Sequence, residues 1–252
     1  MLNQPLLQQL DHLGLRGMSR ALTQQQRTPD TLALGFEERL TFLLEQERLD
    51  RLNHRVAQRL RWAKLTQNAS LEDIDLHTVR GLDRLTLTRL TDLSWIAQGI
   101  NVLISGPTGV GKSYLACALA QHACRNDIGV RYFRLPRLNE ELVRVGVLQK
   151  KSAFFKALAK TPLLVLDDLG LTPLPDAFQR DLLEILDDRY QRQATLITSQ
   201  LPIEHWHSQF SDPTLADAIL DRLVHNAHLL TLKGESMRKI AARKKNDKTT
   251  AG

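Results

Sequence analysis

The octapeptide GPTGVGKS, Gly106 to Ser113, sets glycine, lysine and serine at the spacing G-x-x-x-x-G-K-[ST]. Gly106, Gly109 and Gly111 let a backbone wrap with its N–H groups pointing inward, and such a nest at the start of a helix attracts anions. Pro107, Thr108 and Val110 complete the loop. Lys112 is then placed for the β- and γ-phosphates of a nucleotide, and the Ser113 hydroxyl for a bound Mg²⁺. A chance glycine turn is the bland alternative. The strand-like NVLIS before the loop and the Ala/Leu-rich YLACALAQHACR after it argue against that alternative.

A second stretch, LLVLDDLGL (163–171), runs four apolar residues into Asp167 and Asp168. Adjacent carboxylates resist burial, so their place at the end of a buried strand calls for a reason. In a parallel α/β sheet ligands sit beyond the carboxyl ends of strands, where this run also ends. One acid there can hold Mg²⁺ through water, and the other can orient an attacking water. Asp167 is the metal-site candidate and Asp168 the catalytic one; two solvated turn acids are the alternative.

TLITSQ ends another strand in Thr198, Ser199 and Gln200, a tip suited to sensing the γ-phosphate or placing water. Which of the three points inward stays open, with Ser199 carried as the catalytic candidate. A plain polar strand end before Pro202 competes with that reading. Arg222 lies late in the helix DPTLADAILDRLVHNA, near Asp217, Asp221 and His225. It is either an ion pair within its helix or an arginine finger reaching a γ-phosphate held by a neighbouring subunit. Arg238, in GESMRK, is a second cation acting from the same chain.

The elements that must position these residues follow from periodicity. From Gly99 onward, short runs at 101–105, 130–134, 163–167, 195–199 and 229–232 read as strands separated by helical patterns. Four of them are nearly continuous apolar runs, as expected where both faces of a parallel sheet are covered. The expected fold class is α/β: a three-layer P-loop NTPase unit with a parallel five-stranded sheet, the TLITS strand lying between the two motif strands. Residues 1 to about 95 lack strand alternation and read as helical. Phe36, Leu40 and Leu43, then Leu49, Leu52, Val56, Leu60 and Ala63, fall on helical stripes. The expected division is a helical domain over 1–70, an ATPase domain over 71–240 and a basic flexible tail over 241–252.

The chain has 252 residues, 42% hydrophobic and 25% charged, enough to bury a real core. Its apolar runs are strand-length and no secretory leader opens it, so a cytoplasmic protein without membrane spans is expected. Two cysteines, Cys117 and Cys124, exclude a disulfide framework and a Cys-based zinc site, and read as reduced thiols packed in a helix. His205 and His207 flank Trp206 without a further ligand set. Phe154, Phe155, Trp62, Trp95 and Trp206 are expected to pack rather than to stack on bases.

A formal charge of +6 points weakly to a polyanionic partner. Its distribution says more. Arg48, Arg51, Arg55, Arg59, Arg61 and Lys64 face one acid, Asp50, and Arg238, Lys239, Arg243, Lys244, Lys245 and Lys248 crowd the C-terminus. Arg51, Arg55 and Arg59 are spaced to follow phosphates on one helical stripe, or else form a solvated face. Lys150 and Lys151 offer a further basic site at a loop between helices, or a simple solvated turn.

Taken in order, these pieces resemble the AAA+ ATPases of the IstB/DnaC-like branch, and its IstB-like members most closely. The resemblance rests on FEERLTFLLEQE and AQRLRWAKL, then on GINVLISGPTGVGKSYLACALA, LLVLDDLGL, TLITSQLPIEHWH and DPTLADAILDRLVHNAHLLTLKGESMRK. It implies ATP and Mg²⁺ as cofactors, nucleotide at the subunit interfaces of a homo-oligomer, assembly on double-stranded DNA, and assistance to a partner transposase. It implies Gly106 to Ser113 as the phosphate loop, Asp167 at the metal, and Asp168 where most AAA+ proteins carry the catalytic glutamate. Arg222 matches the finger and Arg238 the second sensor. The first sensor is usually asparagine in AAA+ proteins, from which TSQ departs. Too few residues follow Arg222 for the usual helical lid, so a reduced or absent lid is expected. In the related initiators and loaders an inserted helix near Lys150 and Lys151 faces nucleic acid. Competing functions are a replicative helicase loader, a nucleotide-gated DNA scaffold with negligible hydrolysis, and a small-molecule P-loop kinase. The kinase explains neither the basic helical region nor Arg222.

Overall fold

Runs of Val, Ile, Leu and Thr alternate with helices through the second half of the chain, and a computed structural model gives their assembly. It describes residues 4–76, 78, 80–240 and 243. The chain divides into two compact units, Met1–Gln58 and Arg59–Gly252.

The second unit holds five strands: β1 Asn101–Ser105, β2 Val130–Arg134, β3 Leu163–Leu169, β4 Ala194–Ser199 and β5 Ala227–Thr231. They form one parallel sheet in the order β2-β3-β4-β1-β5, so β4 does lie between the two motif strands. Parallel neighbours need long crossovers, here helical. Alternation explains the layers. Val102, Ile104, Tyr132 and Val165 enter one core, whereas Leu103, Phe133, Leu164, Leu166 and Ile197 enter the other. The inner strands β1, β3 and β4 therefore bury both faces and read as nearly unbroken apolar runs, whereas the edge strand β5 leaves His228, Leu229 and Thr231 exposed.

Helices α5 Arg84–Thr91, α6 Ser94–Ala97 and α7 Lys112–Arg125 contribute to the first of these cores. Helices α8 Leu135–Val147, α9 Lys151–Lys160, α10 Asp176–Arg189 and α11 Pro213–Val224 contribute to the second. Asp212 caps α11, its carboxylate accepting the N–H groups of Thr214 and Leu215. Ala63, Ala69 and Ile74 also belong to the first core, so residues 59–70, expected with the helical domain, pack with the sheet. The loop of Arg189 is pinned from inside: its buried guanidinium donates to the carbonyls of Leu158, Thr161 and Ala194. Burial with no facing carboxylate pushes that guanidinium down to about 9.

The first unit contains α1 Gln4–His12, α2 Arg16–Gln25, α3 Pro29–Leu32 and most of α4 Phe36–Ala63, whose last turn belongs to the second unit. Gly17 lets α2 approach α4: an added Cβ would stand 2.6 Å from the Cα of Glu47. The Glu47 carboxylate accepts the N–H of Gly17 at 2.8 Å and of Met18 at 3.2 Å, satisfying donors that the first turn of α2 leaves open. Along α4 the apolar stripe holds only in part. Leu40, Leu43, Leu52 and Val56 are half-buried, while Phe36 and Leu49 face solvent.

Among the described residues, those after β5 form no separate lid; helical residues occur only at 237–240 and 243. The expected basic tail lies outside the described residues, Lys244, Lys245 and Lys248 included, except for Arg243, which pairs with Glu235. Among the described residues no helix is long and apolar enough to cross a membrane.

Candidate active site

Ser105 ends β1, and the chain turns at once into Gly106 and the loop that leads to α7. Gly111 caps that helix at φ 101°, a conformation that side chains disfavour, and an added Cβ would meet Arg80 Nη1 at 2.7 Å. The first N–H groups of α7 thus open into a cleft of about 780 Å³ at the carboxyl ends of the strands, a size ordinary for a small-molecule ligand. Lys112 is buried, its Nζ donating to the carbonyls of Gly106 at 2.7 Å and Pro107 at 2.9 Å. Burial lowers its pKa, against the opposing pull of Asp168 and Asp167.

Asp167 and Asp168 both line this cleft, which an ordinary strand would forbid, because neighbouring side chains leave opposite faces. The pairing of β3 with β4 explains it. Leu166 pairs with Ile197, and Leu169 with Ser199, so two aspartates stand opposite the single residue Thr198. This is a β-bulge, a device that re-aims side chains at sheet ends. Asp168 takes the left-handed conformation at φ 68°, which aspartate tolerates better than most residues. Thr198 clasps the bulge. Its Oγ1 donates to Asp167 Oδ1 and accepts the N–H of Asp168 at 3.2 Å.

The two acids keep different company. Asp167 is buried, and its Oδ1 also accepts the Ser113 hydroxyl at 2.9 Å while Oδ2 accepts the Tyr132 hydroxyl at 2.5 Å. Asp168 is more open and accepts Arg134 Nε at 2.8 Å; that bond raises the guanidinium's pKa. Ser113 and Asp167 together present hard oxygens at the mouth of the phosphate loop, the donor type Mg²⁺ takes when phosphates and water complete its shell. Among the described residues no group of three or more His, Cys, Asp or Glu side chains is placed to hold a metal unaided.

Of the strand-end trio, Thr198 touches the acids, and Gln200 accepts the Thr108 hydroxyl at 2.6 Å. Ser199 is not brought into the cleft. Its hydroxyl is committed to the carbonyl of Leu169 and the N–H of Leu201, because it neighbours Thr198 on a regular strand and leaves by the opposite face. Arg238 lines the cleft, held near it by the N–H of Met237, which donates to Gly109 O at 2.9 Å. Arg222 does not line the cleft of its own chain; it pairs with Asp187 on α10 at 2.7 Å and with Asp221.

Sequence reasoning missed Arg80, Thr66 and Tyr132. Arg80 is buried beneath the loop, donating to Val110 O at 3.2 Å, while its buried Nε has no hydrogen-bond partner among the described residues. Burial lowers its pKa, and Asp75 opposes that shift. Thr66, Gln67, Asp73 and Ile74 line the cleft from the irregular segment between α4 and α5. No local pattern announces them, since their partners lie in distant elements.

The expected basic positions are largely engaged. Arg51 pairs with Glu47 at 2.7 Å and Arg59 with Asp127 at 2.7 Å, whereas Arg55 is exposed. Lys151 pairs with Asp181 at 2.6 Å, while Lys150 is exposed. Of the five aromatics expected to pack, Trp95, Trp206 and Phe155 are buried and Phe154 meets Phe133 edge-on. Trp62 is 60% exposed and lies under the Arg131 guanidinium at 4.7 Å.

Comparison with known proteins agrees with this geometry. An insertion sequence ATP-binding protein of Sinorhizobium fredii, y4pL, is 46% identical over 97% of this chain and 100% of its own length. The ATP-binding protein of insertion sequence IS1162 from Pseudomonas fluorescens is 42% identical over 80% of this chain and 88% of its own. Among solved structures, DnaI superposes with a TM-score of 0.55 at 25% identity, covering 67% of this chain and 90% of that one. The DnaC helicase loader gives 0.57 at 23% identity over 68% and 100%, a likeness of fold. The fold is that of the AAA+ P-loop ATPases. The profile of the IstB-like ATP binding proteins matches residues 8–246, and the chain belongs to that family.

Proposed function

We propose that the chain is an ATPase that assembles as an oligomer on double-stranded DNA and assists a partner transposase in insertion-sequence transposition. The observation that carries the ATPase reading is the convergence of the phosphate loop, the Ser113–Asp167 pair and Asp168 on one cleft. The N–H groups of the loop and Lys112 bind the phosphates, with Lys112 exchanging its loop carbonyls for phosphate oxygens. Ser113 and Asp167 would hold Mg²⁺, which would supply positive charge against the negative charge of the phosphates. Asp168 orients the attacking water and accepts its proton; Arg238 adds a cation from the same chain. Arg222 serves as a finger for the nucleotide of a neighbouring subunit, a reading supported by its absence from its own chain's cleft.

Aspartate is one methylene shorter than the glutamate usual in AAA+ proteins, and here its carboxylate is also engaged by Arg134. Both features favour slow turnover, suited to timing an assembly rather than driving a motor. DNA is held through phosphates, with exposed Arg55 and Lys150 the better-placed of the basic candidates.

The test is phosphate release by the purified full chain with and without duplex DNA, beside Lys112→Ala. The reading expects DNA-stimulated hydrolysis, abolished in Lys112→Ala, and DNA binding that weakens steeply with salt. Hydrolysis equal in wild type and Lys112→Ala, or DNA binding indifferent to salt, refutes it. The finger is tested by mixing Arg222→Ala with Lys112→Ala subunits, which should restore turnover; failure under conditions of co-assembly removes that assignment.

A further inference from the structure

Tyr132 lies on β2 with its ring among the apolar side chains of one core, where phenylalanine would pack equally well. Its hydroxyl therefore needs a polar reason, since a buried hydroxyl without partners is costly. It has two partners. It donates to Asp167 Oδ2 at 2.5 Å and accepts the Thr66 hydroxyl at 2.9 Å. A phenol carries one proton, and an ionised carboxylate only accepts. The proton of Tyr132 therefore points at Asp167, and Thr66 must spend its own proton on the phenol oxygen. The direction of the chain Thr66 to Tyr132 to Asp167 is thereby set.

Asp167 receives Ser113 and Thr198 on Oδ1 and Tyr132 on Oδ2. Turning the carboxylate about its Cβ–Cγ bond would break all three bonds. We infer that Tyr132 is a positioning residue for Asp167: its hydroxyl holds the carboxylate in the rotation that presents Oδ1 beside Ser113, and Thr66 fixes that hydrogen bond's direction. The inference rests on the ATPase reading above and deepens it, naming what aims the metal-site acid. It also gives the segment after α4 a part in the site, because Thr66 both lines the cleft and heads the chain.

The experiment measures binding of a fluorescent N-methylanthraniloyl ATP to the full-length chain as Mg²⁺ is titrated, with an EDTA control. Tyr132→Phe should raise the half-saturating Mg²⁺ about 10-fold, the loss expected for an outer partner of a metal ligand, and leave binding in EDTA unchanged. Thr66→Val, which keeps the phenol but removes the donor behind it, should shift it the same way by about 3-fold. In an Asp167→Asn background, Tyr132→Phe should add nothing, because its effect passes through that carboxylate.

Wild-type Mg²⁺ dependence in both variants, or a Tyr132→Phe shift undiminished by Asp167→Asn, overturns the inference alone. A wild type that binds no nucleotide with Mg²⁺ overturns the ATPase reading and the inference with it. Should Tyr132→Phe fail to fold, Thr66→Val decides.

Discussion

Replacing Thr198 by valine keeps a branched side chain and removes the one hydroxyl that clasps the acid pair. That hydroxyl donates to Asp167 Oδ1 and accepts the N–H of Asp168, at a residue with 0% exposure, so water cannot stand in for it. Asp167 keeps two other donors, Ser113 and Tyr132, and is not stranded. The Asp168 N–H is. A lost bond to a charged group is worth about 1.5–3 kcal/mol and a stranded buried donor about 1–3 kcal/mol. The 3.2 Å bond is at the long end, and the surviving donors soften the first loss, so the total should be about 2–3 kcal/mol. For a domain of this size that lowers the melting temperature by about 5–10 °C. The kinetic effect should be larger in proportion. Releasing the bulge lets Asp168 drift, and a displacement of about 1 Å in a reacting group costs on the order of 100-fold in rate. Differential scanning calorimetry, phosphate release and nucleotide binding together make the assay. Thr198→Val should melt early and turn over slowly yet bind nucleotide, because the phosphate loop is untouched, and Thr198→Ser should recover both losses. A Thr198→Val protein that matches wild type in melting and turnover would refute the clasp.

Arg134→Gln removes the cation on Asp168, a pair half open to solvent; stability should move by less than about 1 kcal/mol while phosphate release rises severalfold. An early melt at unchanged turnover would instead make the pair purely structural. Glu47 is held below its ordinary 4.5: burial pushes it up, but Arg51 and the N–H groups of Met18 and Gly17 pull it down further. Its contribution to stability is full above the unfolded value and lost as pH falls through the lower folded value. Acid melting of the helical unit, followed by circular dichroism below pH 4.5, should therefore flatten in Glu47→Gln. Burial raises both thiols, Cys124 to about 11, so iodoacetamide at about pH 8 should label neither until the chain unfolds, and rapid native labelling would contradict their packing.

What could be read from sequence depended on whether its cause was local. Gly106 to Ser113 is legible because its shape comes from its own glycines and from the helix that it starts. β1, β3 and β4 are legible because burial on both faces leaves an apolar run. Spacing likewise placed Arg51, Arg55 and Arg59 on one face, but could not show that Glu47 and Asp127 occupy two of them. Asp127 arrives from the packing of another segment, whereas Glu47 sits four residues before Arg51 on α4 itself, its carboxylate also bound by the N–H groups of Gly17 and Met18. Ser199 failed for a simpler reason: side chains alternate along β4, so the strand that aims Thr198 at the acids turns Ser199 to the opposite face, and the polar run by itself does not say which of the two points inward.

That extra residue bears on function. In a regular strand LLVLDD would send one aspartate to the cleft and the other to the opposite core, where a lone carboxylate would be costly. The bulge opposite Thr198 lets both acids share the cleft, and the left-handed turn at Asp168 sets them apart. Asp167 stays in the sheet's plane of hydrogen bonds, buried and held by three hydroxyls. Asp168 is lifted to the rim and met by Arg134. One local slip in register thus gives two identical side chains unlike surroundings, and unlike surroundings are what a metal-site acid and a water-orienting acid require. On the proposed reading the division of labour follows from the pairing of β3 with β4, so changes at Thr198 on the partner strand should separate the two roles as cleanly as changes at the aspartates themselves.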